Sequence, residues 1–249
     1  MSEEQIRAAA WDLISDDNEK RIAAYKVIEE YGGKAARVVL EVAHDWDDVN
    51  QKKWLGIYAG GGWTEGLARW LAGVDAIDTF SEAITDPNPL FRRFAVFVFV
   101  LTKIDDPRVP ELLYRAFTDN DVIIRRNSVM ALAKLGNQKS YELIAGALQD
   151  SDVDVRCVAA FSMRSIGGAE ATDLLIPMLQ DPSEDVVVIS IVSLGILGSE
   201  AAVEPIINML ESESEKIRNS AIMHGLSRIA DQRAVEPLAK QVIINLNKH

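Results

Sequence analysis

Cysteine is close to absent: Cys157 is the single thiol in 249 residues. That excludes a disulfide framework and any zinc or iron–sulfur centre built on several thiolates. Histidine is nearly as scarce, with His44, His224 and His249. His44 stands beside Asp45, Asp47 and Asp48, and alternating acids at a helix start read as caps and solvent contacts before they read as a hard-metal site. His224, between Met223 and Gly225, reads as a packed mid-helix side chain, and Cys157 as a small buried hydrophobe. Gly60–Gly62 is not followed by the Lys and Ser/Thr of a phosphate loop, and no G-x-S-x-G elbow occurs. No metal, cofactor or catalytic residue is expected.

Positive charge and long apolar runs are also short. Lys and Arg number 26 against 38 Asp and Glu, a net charge of -12, which disfavours a phosphate backbone as partner. The longest apolar stretch, Val186–Gly198, contains serines and falls below the roughly 20 residues that span a bilayer. The start, MSEEQIRAAAWDLISDD, lacks the basic-then-apolar order of a signal peptide, so a cytoplasmic location is expected. With 48% apolar and 26% charged residues, the chain has what one large domain or two small ones need for a core.

What the sequence has in abundance is internal repetition. Segments 118–148, 149–179, 180–210 and 211–242 align: Asp119, Asp150 and Asp181 are 31 residues apart, as are Leu148, Leu179 and Leu210. Arg125, Arg156 and Arg218 share the register, interrupted by Val187. An earlier unit, 85–117, matches from Leu101 onward, and 16–43 is a looser copy. Each unit reads as helix, turn, helix. The opening aspartate is the expected N-cap of the first helix, about a dozen residues long. Gly136, Gly167–Gly168 and Gly198 end first helices. Asp106, Asn137, Ser199 and Asp231 are expected to cap the second ones, with Pro107 as a first helical residue. FAVFVFV (94–100) and VVVISIV (186–192) are β-branched, but the register makes both helical and buried. The repeat aspartates and arginines are expected to stack as a ladder that fixes register at the turns.

DSDVDVRCVAAFSMRSIGG (150–168) and Ala234–Val235–Glu236–Pro237–Leu238 resemble the HEAT-like repeat family, in the short form of phycobilisome lyase proteins. The resemblance covers about residues 85–242, and 16–43 more loosely. It implies an all-α, right-handed α-α superhelix of about seven helix pairs, in which neighbours stack into one core. On this reading 1–249 is a single solenoid domain, with an irregular stretch 1–84, five regular repeats in 85–242 and a C-terminal cap at 243–249. Lys240, Gln241, Asn245, Asn247 and Lys248 suit a solvent-facing end. First helices should line the outside and second helices the inside. The resemblance also opens a bilin lyase or chaperone role. The His–Glu metal motif of this fold's hydroxylases is absent, and Val187 departs from the repeat arginine.

Glu111, Glu142, Asp173, Glu204 and Glu236 occupy one place in five successive second helices, at spacings of 31, 31, 31 and 32. Acids near helix N-termini complement the macrodipole and keep a surface soluble. In a row they also make a groove for a basic protein surface, with Tyr114, Ile176 and Ile207 one turn on as apolar anchors.

Residues 44–84 break the repeat. All five tryptophans, Trp11, Trp46, Trp54, Trp63 and Trp70, lie in the first 70 residues. The expected helices are about 48–59, 64–72 and 75–84. Trp46, Trp54, Tyr58 and Trp63 can form an aromatic core or an aromatic binding surface. Asp45–Trp46–Asp47–Asp48–Val49–Asn50 and Pro89–Leu90–Phe91–Arg92–Arg93–Phe94–Ala95 are similar to two motifs of the HEAT-like alkylpurine DNA glycosylases. That resemblance gives Trp46 to lesion binding and Arg93 to phosphate, but Asn50 replaces the aspartate that stabilises the sugar cation.

The sequence therefore favours a non-enzymatic protein-interaction scaffold with an acidic inner groove and an aromatic N-terminal end. A DNA-repair relative, active or inactive, and a bilin lyase or chaperone are the alternatives.

Overall fold

The computed structural model describes residues 2–54, 76–101 and 106–246, and among the described residues regular structure is helical, without a strand. The chain groups into two compact units, Met1–Ala131 and Leu132–His249. The first holds α1 (Glu3–Asp12), α2 (Asn18–Tyr31), α3 (Ala36–His44), α4 (Asp48–Trp54), α5 (Ile77–Ala83), α6 (Pro89–Leu101) and α7 (Val109–Ala116). Next comes α8 (Val122–Leu135), inside which the division falls. The second unit has α9 (Gln138–Ala147), α10 (Val153–Ile166), α11 (Gly168–Leu175), α12 (Glu184–Leu197), α13 (Val203–Asn208), α14 (Glu215–Ser220), α15 (Ser227–Ile229) and α16 (Val235–Leu246). A π-helical turn, Ala221–Leu226, joins α14 to α15.

Both β-branched runs are helical, within α6 and α12, because burial outweighs propensity. Val186, Val187, Ile191 and Leu194 of α12 are buried, and the buried Ser190 hydroxyl donates to the Val186 carbonyl at 2.8 Å. The repeat leucines Leu148, Leu179 and Leu210 are core residues. Gly136, Gly167 and Gly198 follow first helices with positive φ, as expected. Of the irregular helices, α4 starts at Asp48 and α5 covers Ile77–Ala83, while 55–75 lie outside the described residues.

The turns before first helices are built differently from the expectation. Asp119, Asp150 and Asp181 are not N-caps. Each accepts the backbone N–H two residues on, at Asp121, Asp152 and Ser183, and these second residues directly precede the helices. Asp121 and Asp152 pass the bond on to Ile123 and Asp154. Asp86–Asn88–Leu90 and Ser15–Asp17–Glu19 make the same relay. Such side chains mimic a backbone turn and fix the entry to the helix. Second-helix starts follow the expectation at Asn137, which accepts from Ser140, and at Asp231, which accepts from Arg233. Ser199 makes no such bond. Asp106 accepts from Arg108, and α7 starts at Val109 rather than Pro107.

An arginine clamps most of these turns. Arg21, Arg92, Arg125, Arg156 and Arg218 donate to the carbonyl six residues back, at Ser15, Asp86, Asp119, Asp150 and Ser212. The guanidinium has donors left over. Arg92 uses them on both oxygens of Asp119, at 2.8 and 3.2 Å, and Arg156 on Asp181, at 2.8 and 3.0 Å. Each arginine thus ties its own turn to the next one. The Arg156 and Asp181 side chains are 13% and 5% exposed. Burial works to raise the Asp181 carboxyl, but the Arg156 guanidinium and the Ser183 amide outweigh it and hold it below the ordinary carboxylate range. In the irregular unit Gln51 substitutes: its amide donates to the Ala43 and His44 carbonyls and accepts from Asn88. His44 completes that link, 3.1 Å from Asp86 and stacked on Phe91 at 3.7 Å.

Val187 is the gap in this series. The arginine–aspartate step from 156 to 181 is 25 residues, and from Val187 it leads to Ser212. Both partners of one clamp are thus missing together, so neither charge is left alone. Val187→Arg alone should destabilise the chain by about 1–3 kcal/mol. Val187→Arg with Ser212→Asp should recover at least about 1 kcal/mol of that loss, a coupling that chemical denaturation of the double-mutant cycle measures.

A second constraint is steric. A Cβ on Gly195 of α12 would sit 1.9 Å from the His224 carbonyl oxygen, and one on Gly225 would meet Ile206 at 2.8 Å. The π-helical turn therefore rests directly on α12. Gly195→Ala should cost about 2 kcal/mol or more. Gly146→Ala, facing open space in α9, should stabilise by about 0.5–1 kcal/mol. Thermal melts of the two variants should move in opposite directions.

Candidate functional site

The acidic row belongs to second helices. In the second unit Glu142 (α9), Asp173 (α11), Glu204 (α13) and Glu236 (α16) are all exposed. Their helices begin differently. Glu142 and Asp173 lie in second turns, whereas Glu204 and Glu236 follow the 3-10 turns Glu200–Ala202 and Gln232–Ala234. Glu236 is paired with Lys240 at 2.9 Å, and that ammonium lowers its carboxyl. Among the described residues Glu142, Asp173 and Glu204 have no cation within 4.0 Å, so their charge is offered to solvent. The nearby Arg233 is held by Asp231 and the Glu200 carbonyl. Ile176 and Ile207 are half-buried beside the row. In the first unit Glu111 is exposed and Tyr114 half-buried, both on α7.

One depression adjoins the row. A cleft of about 150 Å³ is lined by Tyr141, Glu142, Ala145, Met163, Ile166, Glu170 and Leu174. Helical spacing builds it: Tyr141 with Ala145 on α9 and Glu170 with Leu174 on α11 are i,i+4 pairs, and Met163 with Ile166 on α10 is an i,i+3 pair. Glu170, absent from the sequence-based candidates, is exposed and has no cation partner among the described residues.

The aromatic alternative divides. Trp46 and Trp54 are 4% and 1% exposed. The Trp54 ring lies 5.7 Å from Tyr25, and the Trp46 indole N–H finds no acceptor among the described residues. Asn50 donates its amide to Asp47 at 3.1 Å. Arg93, the residue matched to phosphate contact, is bound to Asp121 at 2.6 Å. Tyr58 and Trp63 lie outside the described residues, as do Trp70, Asn247, Lys248 and His249.

Two side-chain expectations are corrected. His224 is exposed, because the wide π-helical turn shifts the phase of the face that meets α12. Cys157 is half-buried rather than buried. Burial, then Asp185 and Asp154, push its thiol up to about 11, so it stays protonated at neutral pH. Among the described residues no group of three or more His, Cys, Asp or Glu could hold a metal ion, and no helix is long and apolar enough to cross a membrane.

The family model for HEAT repeats matches residues 77–154, 109–195 and 141–224, together more than half of the chain. The chain belongs to the HEAT-repeat family. The structure of YibA from Escherichia coli is similar to this HEAT-repeat protein, with 17% identity, 97% of this chain and 89% of that one covered, and a TM-score of 0.57. The CpcE–CpcF complex of phycocyanin lyase from a Nostoc species has 17% identity, coverage of 96% and 93%, and a TM-score of 0.40. A designed armadillo repeat protein in complex with the peptide (KR)4 has 14% identity, coverage of 90% and 99%, and a TM-score of 0.44. No curated protein matches the sequence. The likeness to YibA shows the HEAT-repeat fold alone.

Proposed function

We propose that this HEAT-repeat protein is a non-enzymatic interaction module that takes a basic protein segment along the second helices of residues 132–249. The observation that carries the reading is the set of exposed carboxylates Glu142, Asp173 and Glu204, uncompensated among the described residues. In an acidic chain they add to a field that draws a cationic partner, raises its on-rate and rejects acidic competitors. Ile176 and Ile207 supply apolar area between the charges, which a purely electrostatic surface lacks. Glu111 and Tyr114 add an exposed acid and a half-buried aromatic side chain on α7 of the other unit.

A fluorescein-labelled octapeptide of alternating Lys and Arg is the probe. It should bind saturably at 50 mM salt and weaken steeply by 300 mM, as exposed charges are screened over about a Debye length. Glu142→Lys with Glu204→Lys should cost about tenfold or more in affinity. Unchanged binding in that variant, or none by the native protein at 50 mM salt, would contradict the reading.

A further inference from the structure

We infer that the cleft between α9, α10 and α11 is a subsite for one arginine side chain of the basic segment. This rests on the acidic-face reading and narrows it to a single anchor.

Size, floor and rim each point to that occupant. The cleft is about 150 Å³, the volume that in an apolar protein cavity accepts benzene. A guanidinium with its two nearest methylenes has as many heavy atoms as benzene. The half-buried Ile166, Ala145 and Leu174 give the methylenes apolar contact, with the buried Met163 beneath them. Glu142 and Glu170 stand on the rim from two different helices and have no cation partner among the described residues. Two carboxylates approached by one planar group suit the guanidinium fork, whose donors point to more than one side. Tyr141 also lines the cleft, and arginine stacks on an aromatic face better than an ammonium does. A lysine would meet the same charge without the fork. A neutral apolar side chain would leave both carboxylates unanswered. The cleft therefore distinguishes arginine from lysine, which the row of acids alone does not.

Octa-arginine and octa-lysine carry equal charge and isolate the subsite. Octa-arginine should bind about tenfold more tightly. Ala145→Leu fills the cleft without altering charge, and Glu170→Gln removes one rim carboxylate at an exposed position. Either should bring octa-arginine down to the level of octa-lysine. Glu204→Gln, outside the cleft, should weaken both peptides alike. In protein labelled with 13C at the methionine methyls, the Met163 signal should shift with octa-arginine and stay in place with octa-lysine. If Ala145→Leu unfolds the chain, Glu170→Gln and the Met163 signal decide. Equal affinity for the two peptides with an unmoved Met163 methyl overturns the subsite and leaves the acidic face standing. Absence of binding by either peptide at 50 mM salt overturns both.

Discussion

A guanidinium that grips the carbonyl six residues behind it is the contact on which the repeats depend. A sharp turn between helices carries backbone carbonyls that no helix ladder satisfies. Arg92 and Arg156 satisfy such carbonyls and spend their remaining donors on the aspartate of the following turn. That aspartate also holds its own turn through the amide two residues on. One side chain thus sets a turn's shape and its spacing to the next. An isolated surface ion pair adds little. These pairs are mostly shielded and bidentate, and each carries backbone bonds besides. The paired loss at Val187 and Ser212 fits the same logic, since a half-shielded charge without its partner costs more than no charge at all.

Second-helix acids recur at the repeat spacing. Glu142, Asp173, Glu204 and Glu236 start from helices of different onset and still share exposure. The steric contact of Gly195 with the His224 carbonyl works at the next level, seating a π-helical turn where a regular helix would leave a different face inward.

Much of this was legible in the sequence, and the rest was hidden for identifiable reasons. The 31-residue recurrence of Leu148, Leu179 and Leu210 marked the core, and it made FAVFVFV and VVVISIV helical against their local propensity. The cap assignment failed by two residues because an aspartate that holds a turn and one that caps a helix look alike in sequence. Arg21 escaped notice because its partner is a backbone carbonyl of a serine, which no charge pattern signals. Gln51 escaped because it is neutral and reaches carbonyls seven and eight residues back. His224 was assigned to the interior because a π-helical turn cannot be read from a helical period. Glu170 has no counterpart one repeat away, where Lys139 and Ala201 stand. Its place beside the cleft is therefore invisible to a search for repetition.

The central claim is that a basic segment lies against second helices rather than first ones. Amide hydrogen exchange of the protein with and without the Lys–Arg octapeptide tests it most directly. The account predicts added protection concentrated in α9, α11, α13 and the end of α10 that borders the cleft, with α12 unchanged. Protection confined to α12 and the start of α10, or none at peptide concentrations that saturate binding, would contradict it.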